Sequence, residues 1–314
     1  MRIGGIPLIF NVLSIFFSLL IMPPFAYAGD VAAVKSVDIV PYREAVNGFK
    51  NVVNKRVHEY VIMDEKGMDN SVVLRLKEQK TDLIFALGTD ALALAKGEFK
   101  NTPVVFAFVL NPDAVIGKDI DAVAQGNIKG IDMIAPPMEQ FNALLEIAPK
   151  VKRIGVIYDP SKTQDIINDA AIAAKSLGLT LVTREIKSGG EAIDAVSDME
   201  GKIDALWMAP DTTAITRESI EYMLLFSFRN RVPVIGISDK YVKEGALLAL
   251  SFDSEDMGRQ AGEVAMKILE GGDTTHIHLL KPRKLKLSIN LNTAEKLGLN
   301  ISERVISKAD KKYR

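Results

Sequence analysis

Short apolar runs along this chain stop at small polar clusters and give way at once to a helical period, and that alternation decides the fold class. The clearest case runs from Asp82 to Leu94. Leu83 to Leu87 is an unbroken apolar run of strand length that ends at Gly88, and Thr89 or Asp90 is placed to cap a helix that starts immediately. A strand ending in glycine before a capped helix aims free backbone N–H groups and the positive end of a helix dipole at one point. Such a point suits a carboxylate or a phosphate. An ordinary strand-to-helix turn has the same letters, so the pattern gains meaning only by recurring.

It does recur. Pro103 to Leu110 is a continuous apolar run, as expected of a strand covered on both faces, and it ends at Asn111-Pro112-Asp113. The run from Arg153 to Tyr158 ends at Asp159-Pro160-Ser161, and the run from Ala205 to Ala209 ends at Pro210-Asp211-Thr212. Two further runs end at Ser238-Asp239 and at Asp253. Between them lie stretches of helical period, among them Tyr42 to Val53, Ile166 to Leu177 and Met257 to Leu269.

Regular alternation of this kind predicts an α/β fold of parallel sheets covered by helices. The strands are too many for one comfortable sheet, and Pro136-Pro137 falls between two similar halves. The predicted architecture is therefore two doubly wound parallel-sheet lobes joined by a hinge. Lobe 1 takes residues 29–136 plus 252–273, and lobe 2 takes 137–251 plus 274–314. In open parallel sheets ligands bind just beyond the carboxyl ends of the strands. Two facing lobes would line one cleft with Gly88, Thr89, Asp90 and Asn111 from the first, and Tyr158, Asp159, Ser161, Asp211, Thr212, Ser238, Asp239 and Asp253 along the rest. Asn, Asp, Ser and Pro are also common turn formers, so only about half of these are expected to touch a ligand.

The first stretch reads as a targeting segment. Arg2 is the sole charge before Asp30, and Leu8 to Met22 is apolar except for Asn11, Ser14 and Ser18. Pro23-Pro24 then stops a helix, and Ala26-Tyr27-Ala28 supplies a small-x-small cleavage pattern. This is the order of a secretory signal peptide over 1–28, cleaved after Ala28. A retained membrane anchor is the alternative, although the run is short for a span. No cysteine follows, so a lipid-anchored form is not available, and the expected location is the periplasm.

Composition removes several functions. The absence of cysteine excludes disulfides, thiol catalysis and cysteine-based metal sites. A net charge of −1 lacks the basic excess of a nucleic-acid surface. The three histidines, His58, His276 and His278, are too scattered for an evident nucleophile–base pair, so no catalytic residues are assigned. His276 and His278 could share one strand face, but as a bare pair they lack further ligands, and no metal or cofactor is expected. Trp207 lies within a predicted strand and reads as core, and Lys308, Lys311, Lys312 and Arg314 read as a solvated tail.

One series of segments has a family likeness: Ala86-Leu-Gly-Thr-Asp-Ala, Pro103-Val-Val-Phe-Ala, Arg153-Ile-Gly-Val-Ile-Tyr-Asp-Pro-Ser, Asp253 with Gly258-Arg259-Gln260, and Leu287-Ser-Ile-Asn-Leu-Asn-Thr-Ala. In these the chain resembles the ABC-transporter substrate-binding proteins of the tryptophan/tyrosine-type family, which have the two-lobed type I periplasmic-binding fold. The resemblance covers nearly all of the chain after the leader, in order. It implies a monomeric Venus-flytrap protein that closes on a small solute and delivers it to an ABC permease in the inner membrane. Members with known ligands bind aromatic amino acids.

The resemblance also implies roles. Gly88 and Thr89 sit where the family's Gly-Thr turn helps hold the ligand carboxylate. Tyr158, Asp159 and Ser161 lie on the second-lobe strand end. Asp211 and Thr212 match a Thr-Asp-Asn-type cluster, and Ser238-Asp239 matches a Ser-Asp turn. A buried acid such as Asp211 would suit a ligand ammonium. Three departures leave the solute open: Asp90 replaces a common proline, Leu110-Asn111-Pro112 replaces Ser-Asp-Pro, and Ser254-Glu255 replaces tyrosines. An aromatic or other amino acid and another small polar solute all remain. The alternative function is a sensory module whose cleft is read by a membrane-bound signalling partner.

Overall fold

The computed structural model describes residues 1, 30–64, 67–69, 71–117 and 126–314; the leader predicted at 1–28 lies, apart from Met1, outside the described residues. The chain is α/β, with two parallel-dominated sheets and 12 helices among the described residues. Strand β1 (Val31–Lys35) leads into helix α1 (Val40–Lys50), β2 (Val57–Val61), a small hairpin of β3 (Met63–Asp64) and β4 (Gly67–Met68), and α2 (Ser71–Glu78). Then follow β5 (Leu83–Leu87), α3 (Thr89–Glu98), β6 (Val104–Ala107), α4 (Asp113–Ile116) and β7 (Ile128–Ile131). Strands β1, β5 and β6 are buried along their whole length, as continuous apolar runs must be when helices cover both faces.

The second unit repeats the plan. It holds α5 (Pro137–Ile147), β8 (Arg153–Tyr158), α6 (Pro160–Ser176), β9 (Thr180–Glu185), α7 (Ala192–Ser197), β10 (Ala205–Trp207), α8 (Arg217–Asn230), β11 (Val234–Gly236), α9 (Asp239–Glu244) and β12 (Leu248–Phe252). The chain then gives α10 (Ser254–Leu269), β13 (Leu279–Leu280), β14 (Leu285–Asn290), α11 (Leu291–Leu297), α12 (Glu303–Lys308) and β15 (Lys311–Tyr313). Strand order is β13-β7-β6-β5-β1-β2 in the first sheet and β15-β14-β12-β11-β10-β8-β9 in the second. Every pairing in the two sheets is parallel except β12 with β14. Among the described residues no helix is long and apolar enough to cross a membrane.

The chain passes between the sheets three times: after β7, after β12 and after β13. The last passage differs from the sequence expectation that 274–314 belongs to the second lobe, because Leu279 and Leu280 pair with Gly130 and Ile131 of the first sheet. Helix α10 packs back on the first lobe against α1 with the backbones almost touching. A Cβ on Gly48 would lie 1.9 Å from the Glu255 carbonyl oxygen, and one on Gly258 would lie 1.9 Å from that of Ala45. This close crossing is a physical reason for the glycine in Gly258-Arg259-Gln260.

One other expectation moves. The first strand ends at Lys35, and Pro41 sits in the first turn of α1, where a missing N–H costs nothing. The C-terminal residues form α12 and an edge strand, not a solvated tail. Ser288, Ile289 and Asn290 pair with Lys311, Lys312 and Tyr313, and the Asp310 carboxylate accepts from the Leu287 N–H. Lysines on an edge strand discourage further pairing, and by composition alone they look like a tail. Trp207 is in the core as predicted, edge-on to Phe141 and donating its indole N–H to Gln140 at 3.0 Å.

Candidate functional site

The strand carboxyl ends of the two sheets border one cleft of about 650 Å³. Its first-lobe wall includes Val40, Pro41 and Glu44 at the start of α1, Leu110, and Met133–Ala135 at the first passage. Its second-lobe wall includes Met208, Pro210, Ile237, Ser238, Asp239, Tyr241, Phe252, Lys286 and Lys311. A cavity of about 560 Å³ lies at the opposite, amino-terminal ends of β8, β10 and β11, around Val151, Ile203 and Pro233. It contains none of the predicted site residues.

In the first lobe the turn after β5 is built by residues from three places. Gly88 is the residue before α3, with φ 94° and ψ 168°, a combination that only glycine adopts readily. A Cβ there would lie 2.5 Å from the Tyr42 hydroxyl and 2.6 Å from Ser36 Oγ. Neither Thr89 nor Asp90 caps the helix; they are its first two residues, and both are exposed. The cap comes from outside: Ser36, at the end of β1, accepts from the Ala91 N–H at 3.0 Å. The Thr89 and Asp90 N–H groups come too early in the helix for intrahelical partners and are left to water or solute. Burial, and then the nearby charge of Asp90, push the Tyr42 phenol up. Asn111 is exposed, and its side chain accepts from Ala114 N at 3.4 Å.

An aromatic series joins this turn to the cleft. Tyr42 packs on Phe108 at 5.0 Å between centroids, and Phe108 meets Phe252 edge-on at 5.4 Å. Phe108 holds a left-handed backbone, φ 62°, uncommon for so bulky a residue and a form of strain found mostly at functional sites. It ends β6 at Ala107, three residues short of the apolar run. Sequence reasoning missed these rings because nothing in the letters marks a strand that stops inside an apolar run.

The second-lobe turns are filled by their own carboxylates. Asp211 is 1% exposed. One of its oxygens accepts from Asp159 N at 2.7 Å and Thr163 Oγ1 at 2.6 Å, the other from Thr213 N at 2.8 Å and Ala214 N at 2.9 Å. Four donors are the full complement a carboxylate accepts, so Asp211 has no place for a ligand ammonium without releasing the loop. Asp159 caps α6, accepting from the Ser161 N–H and hydroxyl and from Thr213 Oγ1. Those bonds, the Ser161 hydroxyl foremost, hold its carboxyl below the usual range. Tyr158 is buried, its hydroxyl shared between Gln164 and Glu185; burial and then the Glu185 charge push the phenol up. Ser161 and Thr212 are exposed, and Thr212 accepts from Lys162.

Of the twelve predicted residues, Ser238 and Asp239 are the ones the cleft lining includes. Asp239 accepts from Lys311 Nζ at 2.6 Å and Tyr313 at 3.1 Å, and the Lys311 bond first of all lowers its pKa. Asp253 sits at the second passage and caps α10. Burial pushes its carboxyl up, but Lys284, the Asp256 N–H and Lys286 together outweigh that and hold it at about 2. The passages carry a run of ion pairs: Lys281 to Asp132 at 2.8 Å, Lys284 to Asp253 at 2.7 Å, and Arg283 to Asp256 and Glu263. Among the described residues no group of three or more His, Asp or Glu could hold a metal ion.

Known proteins share this architecture. The family described as ABC transporter substrate binding protein matches residues 47–313. A curated tyrosine-binding protein from Clostridioides difficile is 26% identical over 255 residues, covering 80% of this chain and 73% of that one. Among solved structures, a ligand-free, open substrate-binding protein with adhesive properties from Clostridium difficile superposes with TM-score 0.72 at 20% identity, covering 91% of this chain and 99% of that one. A Streptococcus pneumonia ABC domain in complex with L-Trp gives TM-score 0.61 at 22% identity, with 90% and 99% covered. At these identities the solved structures speak to the fold alone.

Proposed function

The chain belongs to the family of ABC transporter substrate-binding proteins, and from that premise we propose that it is the exported solute-binding subunit of an importer. The family is one of solute-binding proteins rather than enzymes, and its members generally act outside the cytoplasm as partners of an ABC transporter. The solute we propose is an amino acid, held in the interlobe cleft and handed to a membrane permease. The tyrosine-binding relative supports that class, while Asp90, Asn111 and Ser254 keep this chain's own solute from being read off it.

One observation carries the reading: a cleft of about 650 Å³ whose walls come from the strand ends of both lobes. A solute touched from both sides is bound better by the closed form, so binding shifts the population toward closure about the three passages. In this scheme Ser238 and Asp239 offer polar contacts from the second-lobe wall, and the turn at Thr89 and Asp90, outside the cleft lining of this structure, brings its free N–H groups to the solute from the first lobe as the cleft closes. Asp159 and Asp211 hold the second-lobe loops in shape.

The test is thermal unfolding of the chain from Gly29 against amino acids, purines, sugars and oligopeptides. A solute that binds only the folded state, present at ~100 times its dissociation constant, adds roughly 2.7 kcal/mol and raises the transition visibly. A rise with one amino acid and its close analogues is the expected result. A rise confined to sugars or purines removes the amino-acid assignment, and no rise with any class removes the solute-binding reading.

A further inference from the structure

One acid on the first-lobe wall of the cleft is unused by the site just described. Glu44 lies on α1, exposed, and borders the cleft beside Val40 and Pro41. It has no hydrogen bond or ion pair among the described residues. Across from it, the second-lobe wall ends in the C-terminal strand β15, whose Lys311 also borders the cleft. Lys311 is bound to Asp239 at 2.6 Å and remains half-exposed, so one face of its ammonium is still wet. The hydrogen bond to Asp239 is the main cause that raises the Lys311 pKa, burial opposes it, and the charges of Asp239, Tyr313 and Glu44 add to it. Glu44 and Lys311 thus border the same cleft from opposite lobes, and the Glu44 carboxylate is uncommitted.

We propose that Glu44 is a positioning residue for closure: as the lobes approach, its carboxylate takes a share of the Lys311 ammonium and forms an ion pair across the cleft mouth. The inference rests on the closing motion of the proposed function. Four charged groups border this part of the cleft, Glu44 and Asp239 against Lys286 and Lys311. In the structure Lys311 is held by Asp239 and Lys286 reaches Asp253 at 3.4 Å, which leaves Glu44 as the uncompensated member. Closing the cleft thins the water between Glu44 and Lys311 and strengthens their attraction. The C-terminal strand thereby becomes part of the closing machinery, because it is what holds Lys311 at the wall.

The chain has no cysteine, so two introduced ones can be labelled specifically. Cysteines at exposed Lys100 of the first lobe and exposed Lys187 of the second would carry a fluorophore pair that reads the interlobe distance. With a solute that stabilises the fold present, E44Q lowers the closed-to-open ratio two- to fivefold at low salt, the scale of an exposed ion pair. K311Q does the same, K311R does not, and the double variant E44Q/K311Q is no worse than either single one. At about 1 M salt the difference between parent and E44Q disappears, since salt at that strength screens exposed charges. A solute-driven distance change that E44Q leaves untouched, or single-variant effects that simply add, overturns the latch alone. An interlobe distance that neither solute nor salt moves overturns the closing motion and the latch with it.

Discussion

The turn after β5 in the first lobe and the turns after β8 and β10 in the second occupy the same place in their strand–helix units, and they solve it in opposite ways. In the first lobe the helix start is left open. Gly88 removes the side chain, Ser36 caps from a neighbouring strand, and the N–H groups of Thr89 and Asp90 stay free. In the second lobe the equivalent donors are consumed internally. Asp159 caps its own helix and Asp211 takes four donors from the two loops. A polar cluster at a strand end can thus be a place for solute or a staple for the loop. What separates them is whether the protein's own carboxylate has already taken the N–H groups.

Asp211→Ala tests the staple half most severely. Removing the carboxylate leaves Asp159 N, Thr213 N, Ala214 N and the Thr163 hydroxyl without their partner in a buried loop. Each such group costs about 1–3 kcal/mol, and with partial relaxation the total is about 3–5 kcal/mol, read from urea unfolding. A variant that keeps parental stability but loses solute binding would put Asp211 back among the ligand contacts.

Gly88→Ala tests the open half through the backbone. The variant must hold alanine at φ 94° and fit a Cβ 2.5 Å from the Tyr42 hydroxyl. Strain and crowding together cost about 3 kcal/mol. Solute binding falls further than stability accounts for, because the turn that presents the N–H groups has moved. A tolerated alanine would mean that the turn needs no glycine and carries no special geometry.

Asp253 extends the comparison to the hinge, where a carboxylate caps α10 and also pairs with lysines. Its folded carboxyl is held at about 2 against an ordinary 3.8. A depressed value means that the contribution is present above 3.8 and is lost as pH falls through about 2. At 1.36 kcal/mol per unit that is about 2 kcal/mol. Unfolding midpoints between pH 5 and pH 2 would show the loss in the parent and a flatter response in D253N. Equal slopes would mean that the cap and the lysines do not favour the charged form.

The fold was legible because its signal is long-range and redundant. The runs at Leu83–Leu87 and Arg153–Tyr158 coincide with the strands residue for residue. For the candidate site the letters point to the strand carboxyl ends, where the cleft lies, and not to individual contacts. Asp211, Asp159 and Asp253 look like ligand acids in sequence, since an aspartate that accepts from a solute and one that accepts from a loop N–H carry the same letter. Ser36, the cap of α3, lies 55 positions from the residue it caps, beyond any local rule. Phe108 was hidden by the apolar run that predicted the strand. The C-terminal strand was hidden by lysines that serve an edge as readily as a tail.

The smallest expected effect on stability isolates the open turn. Thr89 is exposed at the first position of α3, its side chain makes no capping bond, and alanine is a better helix former. Thr89→Ala should therefore leave the unfolding free energy within about 0.5 kcal/mol of the parent. If the hydroxyl and its adjacent N–H receive a solute carboxylate, the loss of one hydrogen bond to a charged group costs about 1.5–3 kcal/mol, or roughly tenfold or more in affinity. The contrast with Asp211→Ala is the informative quantity: one variant loses stability and the other loses binding. Unchanged affinity in Thr89→Ala, measured by calorimetry with the solute found in the thermal screen, would show that the free N–H groups of the first lobe face water in the complex too. The second-lobe wall at Ser238 and Asp239 would then have to carry recognition.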